Sequence, residues 1–176
     1  MKIGFCGTVS VGKTTLVNAL KELPEFKDYY FATERSKYLR DLGIPLNTDS
    51  TLKGQTIFLA ERVSELFREN IITDRTIVDV IAFTECANSI HRLEKNEYIE
   101  LASNFLREYD YIFYVSPEGI EIEDNGVRTT DVEYRNKIDE TIKNIISTHK
   151  SKFKNFHKIS GTTEERIQSI KEVLFL

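Results

Sequence analysis

The sequence predicts a three-layer α/β domain, a five-stranded parallel sheet held between two sets of helices, and three observations predict it. Five short runs, residues 2–6, 29–32, 71–73, 111–115 and 156–160, are apolar and rich in β-branched or aromatic residues, as strands are. The segments between them carry apolar residues at helical spacing. Each connection is also long enough to hold a helix, which a parallel crossover requires and a hairpin does not.

The elements follow in order. Residues 2–6, Lys-Ile-Gly-Phe-Cys, open the chain as a strand, and residues 15–22 give a helix with Leu16, Val17, Leu20 and Leu23 on one face, closed by Pro24. After the aromatic strand 29–32, Thr33 is placed to cap a helix through Arg40 that stops at Gly43, with Pro45 beyond it. Residues 44–50 are polar and turn-rich. From 51 to 69, Leu52, Ile57, Leu59, Ala60, Val63, Leu66 and Phe67 recur as one helix face. Residues 71–73, Ile-Ile-Thr, suit a strand buried on both sides.

Helices are expected over 76–87 and 94–109, the second turning Tyr98, Leu101, Phe105 and Leu106 to the core. Residues 111–115 are the clearest strand, ended by Ser116-Pro117. Residues 118–129 have Gly119, Gly126, many charges and no period, which reads as a surface loop. Thr130 or Asp131 is a candidate cap for a long helix to His149, with Ile138, Ile142, Ile145 and Ile146 inward. The last strand, 156–160, leads into a closing helix over 162–174. No internal repeat is present.

A chain of 176 residues with 40% hydrophobic and 30% charged residues fits one domain, residues 1–176. Only 3 Pro and 8 Gly argue against long linkers, and the net charge of -4 gives the whole molecule no attraction to nucleic acid. The local exception is 149–158, where Lys150, Lys152, Lys154 and Lys158 gather with Phe153 and Phe156. It reads as a solvated junction or as a phosphate-backbone contact. Cys6 and Cys86 make neither a zinc spacing nor a disulfide framework, which fits a reducing interior. With no apolar run of membrane-spanning length and no leader pattern, a cytoplasmic location without membrane attachment is expected.

Chemistry concentrates at Gly7-Thr8-Val9-Ser10-Val11-Gly12-Lys13-Thr14, which fits G-x-x-x-x-G-K-[ST] between a strand and a helix. Gly7 and Gly12 permit the turns that aim successive N–H groups of Val9, Ser10, Val11 and Gly12 at phosphate oxygens. Lys13 reaches the β and γ phosphates, the hydroxyl of Thr14 is a Mg²⁺ ligand, and Thr15 follows at the helix start. The implied ligand is a nucleoside triphosphate, ATP with Mg²⁺, in a three-layer P-loop NTPase fold.

Two acidic-Arg pairs should share a rim with this loop: Glu34-Arg35 after the second strand and Asp74-Arg75 after the third. Such a carboxylate either holds Mg²⁺ or accepts the proton of an attacking hydroxyl, while the Arg steadies phosphate charge. Arg128 and Arg135 flank Asp131 in a segment suited to a lid, about residues 118–136, that closes over the triphosphate. Gln55, Phe58 and Arg62 share a helix face that could receive a planar heterocycle or simply pack in the core.

Taken together, these residues resemble the nicotinamide riboside kinase group of small P-loop kinases, small AAA-type ATPase domains, and more distantly thymidylate kinase. The resemblance rests on residues 7–15, on Thr33-Glu34-Arg35 with Leu42-Gly43-Ile44-Pro45, on Asp74-Arg75 with Asp79 and Ala82-Phe83, and on residues 125–128. Thr56-Ile57-Phe58-Leu59-Ala60-Glu61-Arg62 is similar to the thymidylate kinase helix whose Phe and Arg touch the nucleobase. The first pair reads Glu34-Arg35-Ser36 where thymidylate kinases commonly have Arg-Glu-Pro.

The resemblance implies strand order 2-3-1-4-5, Asp74 serving the metal and the acceptor, and Gly161 and Thr162 near the adenine. It also implies Glu34, Arg35, Phe58, Arg62 and Arg75 on the acceptor side, and Lys13, Asp74, Arg128 and Arg135 in catalysis. The expected activity is phosphate transfer from Mg·ATP to a nucleoside, nucleotide or similar metabolite. The alternatives are a regulatory NTPase that binds a partner and a kinase for a nucleic-acid hydroxyl. Its amphipathic helices admit a homodimer as readily as a monomer.

Overall fold

The structure, a computed structural model, describes residues 1–33, 36–119 and 132–175. Its strands are β1 (Lys2–Cys6), β2 (Tyr30–Ala32), β3 (Ile71–Thr73), β4 (Tyr111–Val115) and β5 (Phe156–Ile159). Its α-helices are α1 (Lys13–Lys21), α2 (Ser36–Asp41), α3 (Leu52–Glu65), α4 (Ile77–Cys86), α5 (Arg92–Ser103), α6 (Val132–Thr148) and α7 (Thr163–Leu174). All strands pair in parallel, in the order β2-β3-β1-β4-β5. The expected fold class and strand order therefore hold.

Period-two alternation divides the core. From β1 and β4, Cys6, Ile112 and Tyr114 face a layer built by α3, α4, α5 and α6. Ile3, Phe5, Phe113 and Val115 face the opposite layer of α1 and α7. Phe5 and Phe113 stack across β1 and β4 with ring centroids 5.5 Å apart, a contact worth about 1 kcal/mol beyond area burial. The connection leaving β1 runs to β2 on the far side of β3, and the connection leaving the adjacent strand β4 runs the other way to β5, so the two diverge at the carboxyl ends of β1 and β4. That divergence opens the crevice in which ligands of such sheets bind.

Caps set where the helices begin. Thr51 accepts from the Gly54 N–H at 3.2 Å ahead of α3, and capping boxes close α4 through Thr76 and Asp79 and α7 through Thr162 and Glu165. Some expected boundaries shift. Helix α2 is described from Ser36 onward, and the turn expected directly after Thr33, like the candidate caps Thr130 and Asp131, lies outside the described residues. Helix α3 ends at Glu65, so Phe67 falls in the following turn and is 87% exposed rather than inward. Ala60, expected on the same face, is exposed as well.

Helix α5 stops at Ser103 before a 3-10 turn at Leu106–Glu108. It buries the line Tyr98, Ala102, Ser103 and leaves Leu101 55% exposed, against expectation. The basic stretch forms pairs instead of a groove. Lys152 Nζ meets Ser103 Oγ at 2.6 Å, Lys154 meets Asp110 at 2.9 Å and Lys158 meets Glu118 at 2.9 Å. Among the described residues no helix is long and apolar enough to cross a membrane.

Gly4, in the centre of β1, lets this layer close. A Cβ there would stand 2.4 Å from Thr76 Cγ2 and 2.8 Å from Tyr109 Cε1. Gly4→Ala should therefore destabilise the fold by about 1–3 kcal/mol through overpacking. The check is a lower urea midpoint at an unchanged m-value.

Candidate phosphate-binding site

Strand β1 delivers residues 7–12 to the crevice, and their backbone could not be built from ordinary residues throughout. Gly7 has φ 155° and Gly12 φ 79°, and Ser10 also sits at positive φ, 55°. A side chain at Gly7 would further press its Cβ to 2.7 Å from Val115 O. Val9 and Val11 bury their side chains, which leaves the backbone of the loop for a ligand.

Each end of the loop is tied to a different part of the fold. The Gly7 N–H donates to Asp79 Oδ1 at 3.2 Å, and the Thr8 hydroxyl donates to the Arg135 carbonyl at 2.7 Å. Lys13 Nζ donates to the carbonyls of Gly7 at 2.6 Å and Thr8 at 2.7 Å, so its ammonium lies across the loop it serves. The Gly12 carbonyl accepts from the Leu16 N–H at 2.9 Å as α1 starts. Arg166 Nη1 donates to the Val11 carbonyl at 2.8 Å.

Thr14 and Asp74 meet directly. The Thr14 hydroxyl donates to Asp74 Oδ2 at 2.6 Å, and Asp74, just beyond the end of β3, is 1% exposed. A carboxylate at that depth is costly unless hydrogen-bonded or charge-paired. Its neighbour Arg75 points to α4, with Nη1 3.8 Å from Asp79 Oδ1 and its guanidinium 5.0 Å from the Phe83 ring. Asp79 also accepts from the Thr76 N–H at 2.8 Å and the Thr76 hydroxyl at 3.0 Å. One buried carboxylate therefore joins the loop, the α4 cap and Arg75.

Beneath the loop, Tyr114 donates its hydroxyl to Asp139 Oδ1 at 2.7 Å, and Lys143 pairs with Asp139 Oδ2 at 2.6 Å. Burial first, then the Asp139 hydrogen bond, pushes the Tyr114 phenol up, so it remains a donor throughout the neutral range. Burial likewise pushes the Cys6 thiol well above its usual value, which keeps it protonated beside the loop rather than nucleophilic.

Residues 2–166 match the family model described as AAA domain. The chain belongs to that family. Among solved structures, deoxyadenosine kinase from M. mycoides with bound dATP superposes with a TM-score of 0.68 at 21% identity, covering 100% of both chains. Thymidylate kinase from Candida albicans gives 0.68 at 18% identity over 98% of this chain and 90% of that one. NadR protein in complex with NAD and AMP-PNP gives 0.72 at 14% identity, over 99% of this chain and 49% of that one. At such identities the likeness is one of fold, and that fold is the P-loop kinase fold which the sequence resembles. No curated protein matches this chain significantly by sequence.

Within this AAA domain the expected site residues are distributed unevenly. Gly7 to Thr14 and Asp74 come together at the crevice, with Arg75 behind them and Thr15 exposed at the start of α1. Gly161 and Thr162 form the turn into α7. Arg135 is buried at the start of α6, where its carbonyl meets Thr8. Phe58 packs half-buried against the α4 layer. Arg62 is 3% exposed and donates to Glu65 Oε1 at 2.7 Å. Glu34, Arg35 and Arg128 lie outside the described residues.

Sequence reasoning assigned no role to Thr8, Asp79 or Arg166. The available signal was a charge on an apolar stripe: Asp79 is the one polar residue in the apolar run 77–83, and Arg166 lies one and two turns from Ile170 and Leu174. Asp79→Ala removes the acceptor of two buried N–H groups. A stability loss of about 2 kcal/mol or more is expected in urea unfolding, with a smaller loss for Asp79→Asn, which keeps one acceptor oxygen.

Proposed function

We propose that this AAA domain transfers the γ-phosphate of Mg·ATP to a nucleoside, nucleotide or similar small metabolite. The observation that carries the reading is the 2.6 Å contact of Thr14 with buried Asp74 at the foot of the phosphate loop. It supports a metal site there, because a hydroxyl and a carboxylate, both hard oxygen donors, meet beside the phosphate loop. That donor set suits Mg²⁺, which takes one or two protein ligands and draws the rest from phosphate and water. When bound, the ion supplies charge neutralisation on the phosphates.

The chain's own residues then divide the work. The N–H groups of residues 9–13 hold the β and γ phosphates with Lys13. Asp74, together with Thr14, would hold the metal, or it takes the proton of the attacking hydroxyl. Arg75, with Arg128 and Arg135, stabilises charge on the transferred group. Glu34, Arg35, Phe58, Arg62 and Arg75 receive the acceptor, and Gly161 and Thr162 lie at the adenine end. The deoxyadenosine and thymidylate kinases of the same fold support a nucleoside or nucleotide acceptor.

ADP release from Mg·ATP, alone and with nucleosides, nucleoside monophosphates, nicotinamide riboside and short oligonucleotides, tests the reading. One small acceptor should raise release at least about tenfold, a differential of one factor of ten in transition-state binding. Equal release with and without every acceptor would turn the assignment to a regulatory NTPase, and stimulation by oligonucleotides alone to a nucleic-acid kinase. Asp74→Asn should cut transfer by at least about a hundredfold while ATP still binds, and Lys13→Ala should weaken both. Unchanged turnover in Asp74→Asn would remove that carboxylate from the mechanism.

A further inference from the structure

Arg166 occupies a place where α7 should carry a core residue. It lies on the buried line with Ile170 and Leu174 and is 3% exposed. A buried guanidinium is costly unless an opposite charge answers it. Among the described residues Arg166 has no ion-pair partner, and its Nε and Nη2 are buried without a hydrogen-bond partner. The contact it makes is the 2.8 Å bond from Nη1 to the Val11 carbonyl of the phosphate loop.

That contact has a directional consequence. The Val11 carbonyl and the Gly12 N–H belong to one trans peptide unit, so they point to opposite sides of it. A donor that holds the carbonyl on the α7 side fixes the amide hydrogen on the other side. A charged donor also polarises the unit and makes its N–H a stronger donor. Gly12 leaves room for the arrangement, since a Cβ there would stand 3.3 Å from Arg166 Nη1.

We propose that Arg166 is a positioning residue for the phosphate donor. It holds the peptide between Val11 and Gly12 with the N–H turned into the loop, and it sets a fixed positive charge behind the cradle. Arg166 therefore contributes to affinity for a nucleoside di- or triphosphate and not to affinity for the nucleoside part. The proposal rests on the reading of the loop as an ATP site, and it adds a determinant outside the motif itself.

The test compares dissociation constants of Mg·ATP, Mg·ADP and adenosine for the full chain, for Arg166→Met and for Arg166→Lys, with circular dichroism to establish folding. Arg166→Met should weaken ATP and ADP binding on the order of tenfold, the worth of one charge-assisted hydrogen bond, and leave adenosine within about twofold. Arg166→Lys should recover part of the loss, because it restores the charge without the planar fork. In turnover, KM for ATP should rise and KM for the acceptor should not. Where Arg166→Met does not fold, Arg166→Lys and Arg166→Gln carry the same comparison.

Unchanged ATP and ADP affinity in a folded variant overturns the proposal. So does an equal loss for adenosine, which would mark a merely structural residue. If the unaltered chain binds neither ATP nor ADP, the donor reading itself fails, an outcome separate from either of these.

Discussion

A loop that offers its amide hydrogens to phosphate must have its carbonyls answered elsewhere, and the rest of this structure is arranged around that constraint. Three carbonyls of the loop are taken by cations: those of Gly7 and Thr8 by Lys13, and that of Val11 by Arg166. A fourth, from Gly12, enters the first hydrogen bond of α1. The first amide is held by Asp79 and the first hydroxyl by the Arg135 carbonyl. These partners come from α1, α4, α6 and α7, on both faces of the sheet. The shape of eight residues is thus a property of the whole three-layer packing, and the central position of β1 is what puts all four helices within reach.

The same constraint accounts for charges inside the core. Helices α4, α6 and α7 each carry ionisable residues on their buried faces: Asp79 on α4, Arg135 and Asp139 on α6, and Arg166 on α7. Each of the three helices touches the loop or the strand end beside it. Arg62 is the contrasting case, because its charge is met within α3 by Glu65 and not at the loop. Buried polar groups are tolerated where they are hydrogen-bonded, so their concentration around residues 7–14 marks where folding stability has been exchanged for a preorganised backbone.

Much of this was legible in the sequence. Strands β3 and β4 fall where Ile71-Ile72-Thr73 and Tyr111-Ile112-Phe113-Tyr114-Val115 place them, since a short apolar β-branched or aromatic run has few other stable solutions in a parallel sheet. The loop was legible because its spacing and flanks carry a mechanism. What periodicity missed lies at helix ends: Phe67 and Leu101 keep helical spacing in sequence, yet α3 ends two residues before Phe67, and α5 buries a narrow line that passes Leu101 by. The contacts of Arg166 and Asp79 with the loop were not legible beyond the hint of a charge on an apolar stripe, because those loop partners are backbone groups more than seventy positions away.

The two tethers of the loop also differ in what they connect. Asp79 holds Gly7 and lies beside Arg75, so the amino end of the loop is fixed relative to the end of β3, where the acceptor is proposed to sit. Arg166 holds Val11 from the first turns of α7, just after Gly161 and Thr162, so the other end is fixed relative to the proposed adenine site. Phosphate transfer requires the attacking and leaving oxygens to be aligned within a few tenths of an ångström of a productive geometry. A loop tethered at one end to each half of the crevice transmits the spacing of the two halves directly to the backbone that is proposed to hold the phosphate. In the proposed reaction, the separation of the α4 layer from the α7 layer, and not the loop sequence alone, is then the quantity that sets where the transferred group lies.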